Sequence, residues 1–372
     1  MPHQNSAQEA LPRPETAGPW SAAAIPVAST KAVDFLYLDQ QAVLDAGVLD
    51  MTRAMYVVGR VMAAFEGGQV RQPGKVVLRK GNDTKSEING RINGLCAFVN
   101  HETPSMGMKW VASFPGNRER GLPRASALII LNSPDTGFPI AMMDGTIISA
   151  MRTGACTGLG ARYLAPRGTC KIGMVGAGVQ ARTQLLGLYT ALPQVEQIAV
   201  WNRTPERGDL FVEECRRRWN APVVRTETMA QALTGADVVL TITTADEPII
   251  PARFVKPGAL TIQLSGHECE FDLVKQCHKI VVNNWDACKH RGIRTPAVMY
   301  QQGLLQDGDI YCSLGDLLLG RKPGRESEDE RIHFTPDGMG STDVALAFDV
   351  YQRARNLGIG QRLRLWDEPL WY

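Results

Sequence analysis

Three sets of residues in this chain could do chemistry. The first is Ile172-Gly173-Met174-Val175-Gly176-Ala177-Gly178-Val179-Gln180-Ala181, where an apolar run meets G-x-G-x-x-A. Gly176 would permit a tight turn, Gly178 would let backbone approach a pyrophosphate, and Ala181 would let a helix pack closely on a strand. Phosphates favour the start of such a helix, where free N–H groups and the macrodipole attract anions. A glycine turn alone says little; one that joins a strand to a helix in a βαβ unit reads as a dinucleotide site. The next strand ends Val200-Trp201-Asn202-Arg203-Thr204. NAD-selective sites usually carry an acid there for the ribose hydroxyl, whereas Arg203 beside a neutral Asn202 could pair with a 2′-phosphate. Both NAD(H) and NADP(H) stay open, with a solvated Arg203 as the plain alternative.

The second set is cationic. Lys75, Arg79, Arg91, Lys109, Arg124 and Arg152 all fall in the first half, several of them inside apolar strand-like runs. Lys109 lies in Gly107-Met108-Lys109-Trp110-Val111, a poor place for a solvated lysine. With Ser149 taken as N-cap, Arg152 falls in a first helical turn, where the macrodipole disfavours a cation unless an anion binds there. A substrate carboxylate or the pyrophosphate would serve. Surface charge is the plain reading for Lys75, Arg79 and Arg91. The third set is His267, placed after a strand where an open α/β sheet carries its ligand; it is either a general acid or base or an ordinary loop histidine.

The elements that must position these residues have two textures. Residues 43–65 have helical spacing of apolar positions. Strand-like runs follow at Lys75–Arg79, Gly94–Val99, Gly107–Ser113, Ser126–Leu131 and Phe138–Met143. A helix running to Leu164 and stopped by Pro166 completes an α+β pattern. From Lys171 strands and helices alternate: Lys171–Val175, Val179–Leu192, Gln197–Trp201, Pro205–Trp219, then short elements up to Lys279–Val282. That order implies a Rossmann-type, doubly wound parallel sheet. The expected organisation is an extension over 1–30, a substrate-binding unit over 31–166 completed by 325–372, and a dinucleotide unit over 167–324.

Length and composition are those of a two-unit globular protein, 372 residues with 44% hydrophobic and 21% charged residues. A net charge of +2 argues against nucleic acid or an anionic membrane as the main partner. The eight cysteines form no C-x-x-C pair and no zinc-finger spacing, so they read as reduced thiols in a cytoplasmic protein with no metal site. No run reaches the ~20 apolar residues of a membrane span, and the first thirty residues lack the pattern of a secretory signal.

Gly107-Met108-Lys109-Trp110-Val111, Ser149-Ala150-Met151-Arg152-Thr153, the glycine turn, and Gly338-Met339-Gly340-Ser341-Thr342-Asp343 together resemble the ornithine cyclodeaminase/μ-crystallin family, over nearly the whole chain after the extension. The resemblance implies an NAD(P)-dependent oxidoreductase of a small carboxylated amino acid, homodimeric through its first unit. It places Lys109 and Arg152 at substrate and cofactor, and Lys75 as a carboxylate anchor. It puts Arg124, Val179, Gln180, Asn202, Thr244, the turn Leu264-Ser265-Gly266-His267 and Met339 at the cofactor, and the Pro336–Asp337 turn over substrate and nicotinamide. His267 stands where cyclodeaminases carry the aspartate that serves cyclisation with loss of ammonia, which argues against ornithine as substrate. Pro123-Arg124-Ala125-Ser126-Ala127, Val282-Asn283-Asn284-Trp285 and Pro323-Gly324-Arg325-Glu326 are nearest to the branch that oxidises N-(2-amino-2-carboxyethyl)-L-glutamate to 2,3-diaminopropionate for siderophores and related products. Ornithine cyclodeamination, alanine dehydrogenation, ketimine reduction and μ-crystallin-like binding of NADPH and a small ligand are the other activities the family offers.

Overall fold

In the computed structural model, which describes residues 32–81, 90–245 and 247–369, period-2 burial and period-3.6 burial divide the chain into two sheets with helices between and around them. The expected extension over 1–30 lies outside the described residues. The first unit opens with β1 (Val33–Leu38), α1 (Gln40–Asp45) and α2 (Met51–Glu66). The expected single helix over 43–65 is thus broken: Gly47 turns the chain at φ +79°, and Asp50 restarts it by accepting from Arg53 N–H at 2.9 Å. Strands β2 (Val70–Arg71), β3 (Val76–Arg79), β4 (Arg91–Val99), β5 (Ser105–Ser113), β6 (Ala125–Asn132) and β7 (Pro139–Asp144) follow. Long α3 (Thr146–Leu164) then leaves the sheet.

The second unit begins with β8 (Lys171–Val175), α4 (Val179–Ala191), β9 (Gln197–Trp201) and α5 (Pro205–Trp219). It continues with β10 (Val223–Arg225), α6 (Met229–Leu233), β11 (Val238–Thr241) and β12 (Leu260–Gln263). After α7 (Phe271–Lys275) come β13 (Lys279–Val282), α8 (Trp285–Arg291), α9 (Thr295–Gln301), α10 (Leu314–Leu318) and β14 (Ile332–Thr335). The order β10-β9-β8-β11-β12-β14-β13 is parallel at every pairing, the doubly wound arrangement. Strand β14 lies inside this sheet, so the dinucleotide unit runs to Thr335 and not to residue 324. The short apolar run Ile332–Thr335 follows a charged loop and shows no periodicity long enough to be read locally.

Helix α11 (Gly340–Leu357) and β15 (Gln361–Trp366) return to the first unit, where the sheet order is β15-β1-β7-β6-β5-β4-β2, with β3 on β4. Two backbones meet where the units join. A Cβ on Gly154 of α3 would come within 2.1 Å of Thr183 O, and one on Gly187 of α4 within 2.1 Å of Gly154 O. Only glycine allows that approach, and it sets the helix bearing Arg152 directly against the helix that follows the glycine turn.

Candidate active site

The glycine turn sits at the carboxyl end of β8. Gly176 has φ +109° and faces Ile242 O so closely that a Cβ would lie 2.3 Å from it, so the turn requires glycine here. Around Gly178 the reverse holds: nothing lies within 4 Å of a would-be Cβ, and no side chain caps α4. Its first turn therefore presents backbone to open space, as a pyrophosphate site does. Beside it Val179 is 76% exposed, a large apolar side chain at the mouth of the cleft, and Gln180 is exposed too. Asn202 is committed to the turn, accepting from Ala177 N–H at 3.1 Å and donating to Thr204 O at 2.7 Å. Arg203 and Thr204 are exposed next to it, and Thr244 is exposed after β11. Leu264 is buried and Ser265 half-buried after β12. Met339, assigned to the cofactor by resemblance, packs its side chain into the hydrophobic core, which leaves only its backbone for that role.

Buried Glu268, which sequence reasoning missed, joins the loops after β11 and β12. It accepts from Thr243 N–H at 2.7 Å, Thr243 Oγ1 at 2.6 Å and Ser265 N–H at 3.2 Å. Burial pushes its carboxyl above the usual range despite those bonds.

A second centre lies between β5, α3 and α11. Alternation along β5 turns Lys109 to the helix-covered face, where it is 2% exposed. Its Nζ donates to Asp343 Oδ2 at 2.6 Å and to Ser149 Oγ at 3.1 Å. Arg152 Nε donates to the other carboxylate oxygen of Asp343 at 3.1 Å. Burial alone would raise the Asp343 pKa, but Arg152 and Lys109 outweigh it and hold the carboxyl below its ordinary value. For Lys109 burial dominates, drawing the ammonium down to about 8 against the pull of Asp343, with Arg152 adding to the fall. The expected position of Arg152 in a first turn needs correction. Asp144 caps α3, accepting from Thr146 and Ile147 N–H at 3.0 and 3.4 Å, so Ser149 lies inside the helix and Arg152 in its second turn. Asp343 pairs with it across the two helices. That aspartate sits in the Ser341-Thr342-Asp343 stretch singled out from sequence; the usable signal was an acid opening an otherwise apolar helix face.

A third cluster lies on the turn after β14. Asp337, 4% exposed, accepts from Arg291 Nη1 at 3.3 Å and pairs with Arg294 Nη2 at 3.8 Å. Neither arginine was a sequence candidate. Burial would raise the Asp337 pKa, but Arg294, Arg291 and Lys75 hold it below the ordinary range. Lys75 is drawn down to about 8 by burial and by Arg291, while Asp337 opposes. Arg79 and Arg91 face each other across β3 and β4. Burial, then Arg291, Arg79 and Arg124, lower Arg91 to about 10. Lys75, Arg79, Arg91, Arg124 and Arg291 thus crowd into one positive region next to Asp337. His267 is half-buried and stacks on Phe271, centroids 4.9 Å apart, and burial lowers its pKa.

The model of the Ornithine cyclodeaminase/mu-crystallin family matches residues 40–358. An alanine dehydrogenase of Archaeoglobus fulgidus is 31% identical over 339 residues, covering 89% of this chain and 99% of that protein. The N-((2S)-2-amino-2-carboxyethyl)-L-glutamate dehydrogenase of Staphylococcus aureus is 29% identical over 335 residues, covering 90% of this chain and 99% of that protein. Among solved structures, an archaeal alanine dehydrogenase dimer with bound NAD superposes with a TM-score of 0.81 at 30% identity, covering 90% of this chain and 100% of that one.

Proposed function

The chain belongs to the ornithine cyclodeaminase/mu-crystallin family, and on that premise we propose that it is an NAD(P)-dependent oxidoreductase that oxidises N-(2-amino-2-carboxyethyl)-L-glutamate at its secondary amine. Water and an oxidised nicotinamide would be consumed, and 2-oxoglutarate, 2,3-diaminopropionate and a reduced nicotinamide formed. Activity at a CH–NH bond of an amino acid is common ground with the alanine dehydrogenase and carboxyethyl-glutamate dehydrogenase relatives.

The observation that carries the finer reading is the gathering of Lys75, Arg79, Arg91 and Arg291 beyond the Lys109–Asp343–Arg152 centre. One carboxylate is served by one guanidinium, and several half-buried cations in one place suit a substrate with three carboxylates. The open backbone at Gly178, the exposed Val179 and the uncapped start of α4 fit a dinucleotide pyrophosphate. Arg124, Arg203, Thr204, Thr244 and the Leu264–Ser265 turn are the neighbouring contacts we assign to it. Bound there, the nicotinamide supplies hydride acceptance. Arg152 and Lys75 hold carboxylates so that the reacting C–H is oriented. Lys109, drawn to about 8, can lose or take a proton near neutral pH at the substrate nitrogen or the attacking water. Asp343 keeps that ammonium aimed. The Pro336–Asp337 turn closes the substrate side. We assign no proton-transfer step to His267, whose ring is stacked on Phe271.

Purified protein given the synthetic amine and either NAD+ or NADP+ should raise absorbance in the reduced-nicotinamide band. No change with either oxidant refutes the substrate. The alanine dehydrogenase relative favours a second reading, reductive amination or its reverse on a small 2-oxo acid. Turnover of alanine or of pyruvate with ammonia, faster than of the tricarboxylate, would decide for it. We also propose a homodimer through the first sheet, where Val76, Leu78 and Trp110 are 67%, 57% and 41% exposed; the archaeal structure is a dimer.

A further inference from the structure

The turn that carries Asp337 must be held at one height. Asp337 has to reach Arg291 and Arg294, and the following Gly338 passes so close to Arg152 that a Cβ there would lie 3.1 Å from its guanidinium. The ladder between β13 and β14 ends two residues before Asp337, with Val282 opposite Thr335. Continued in register it would pair Asn283 with Pro336, and proline has no N–H to give. A side chain takes over instead. Asn283, 1% exposed, donates from Nδ2 to Asp337 O at 2.9 Å and accepts at Oδ1 from Asp337 N–H at 3.2 Å. Its amide thus stands in for the missing strand, satisfying both backbone groups of Asp337. The same Nδ2 lies 3.5 Å from Cys156 Sγ on α3, one helical turn beyond Arg152. One buried amide therefore couples the Asp337 turn to the helix that carries Arg152.

We infer that Asn283 is a positioning residue: by clamping the Asp337 backbone against α3 it sets the distance between the Asp337–Arg291–Arg294 cluster and the Asp343–Arg152–Lys109 centre, and with it the spacing of the two carboxylate-binding regions. None of its hydrogen bonds goes to a carboxylate. The spacing rests on the reading of these centres as substrate-binding, but the clamp itself can be tested without a substrate.

In Asn283→Ala the Asp337 carboxylate, whose charge acts on Lys75, should shift away from it. The pH midpoint for acylation of Lys75, followed by mass mapping of the modified peptide, should then fall by at least half a pH unit, because Asp337 supports that ammonium. The affinity for NAD+ or NADP+, followed by fluorescence titration, should change less than twofold, since none of the hydrogen bonds of Asn283 reaches the glycine turn. With a turnover substrate in hand, KM should rise at least tenfold. Thr228→Ala, which removes the remote capping box of α6, supplies a variant of similar stability loss and should leave Lys75 and KM alone. Asn283→Leu keeps the volume and loses both donor and acceptor, so it should resemble Asn283→Ala. An unchanged Lys75 midpoint in Asn283→Ala, or an equal change in Thr228→Ala, overturns the inference. If the midpoint moves while no substrate is turned over, the clamp stands and the proposed reaction falls.

Discussion

Replacing Asp343 by Asn would leave Lys109 and Arg152 facing each other without the carboxylate that joins them. Removing one partner of a buried ion pair costs about 3–5 kcal/mol, a large part of the ~5–15 kcal/mol that holds a domain folded. The informative quantity is how that loss depends on pH. Burial draws Lys109 to about 8, and Asp343 is what keeps it from falling further. At an effective dielectric of ~20, opposite charges ~4 Å apart attract by about 4 kcal/mol, which at ~1.4 kcal/mol per pH unit is a fall of about three pH units. In Asp343→Asn, Lys109 is therefore neutral in the folded state from about pH 6 to 8, while in the unfolded chain it stays protonated up to its ordinary value of ~10.4. The unfolded state then binds one proton more, so stability rises with pH by about 1.4 kcal/mol per unit. In the intact protein Lys109 is protonated in both states below about 8 and contributes no slope there. Urea unfolding of both proteins across this window should thus show the variant's deficit shrinking by about 2.7 kcal/mol between pH ~6 and ~8. Arg152→Met removes a cation that lowers Lys109 and should create no such slope. A deficit of Asp343→Asn that is the same at every pH would refute Asp343 as the group that sets the charge on Lys109.

His333 makes a second pH test. It is wholly buried, its Nε2 3.1 Å from both Gln263 Oε1 and Thr335 Oγ1, and burial pulls its pKa down to about 3. Its stabilising share is complete above the unfolded value of ~6.5 and should be lost at about 1.4 kcal/mol per pH unit below it, a slope that His333→Gln removes in urea unfolding between pH ~7 and ~5. Gly176→Ala should lower the melting temperature by several degrees, because a Cβ there meets Ile242 O at 2.3 Å and φ is +109°. Gly178→Ala should melt like the parent yet bind NAD+ or NADP+ at least tenfold more weakly in a fluorescence titration. Loss of one charged hydrogen bond in Arg79→Ala, about 1.5–3 kcal/mol, should raise KM for the tricarboxylate roughly 10–100-fold in steady-state assays and leave that for alanine nearly unchanged. Trp110→Glu places a charge on the exposed apolar face of the first sheet, and light scattering should then report the mass of a monomer.

Much of the second unit could be read locally. Lys171–Val175 and Pro205–Trp219 lie where apolar spacing and a proline at the helix start put them, and the glycine turn announces its own conformation because only glycine tolerates it. The first unit was less open to such reading. Strand β15, a run of alternating charged and apolar residues, is mostly exposed and owes its place to antiparallel pairing with β1. Strand β14 is four buried residues after an acidic loop and joins the other sheet only because β12 and β13 leave a gap for it.

The same division holds in the site. Lysine in an apolar strand marked Lys109 as unusual, and a supposed first helical turn marked Arg152, although the helix begins earlier at Thr146. The reason they are tolerated, Asp343, lies 234 and 191 positions away. Arg291 and Arg294 carried no local sign, since arginines at a helix end are ordinary until a buried aspartate from another strand meets them. By itself the sequence determined which backbones could turn, alternate or coil, because those preferences act over a few neighbouring residues. Which charges share a buried site, and so which of them titrate near neutrality, was decided only by the tertiary structure, because burial and Coulomb attraction depend on distance in space and not along the chain.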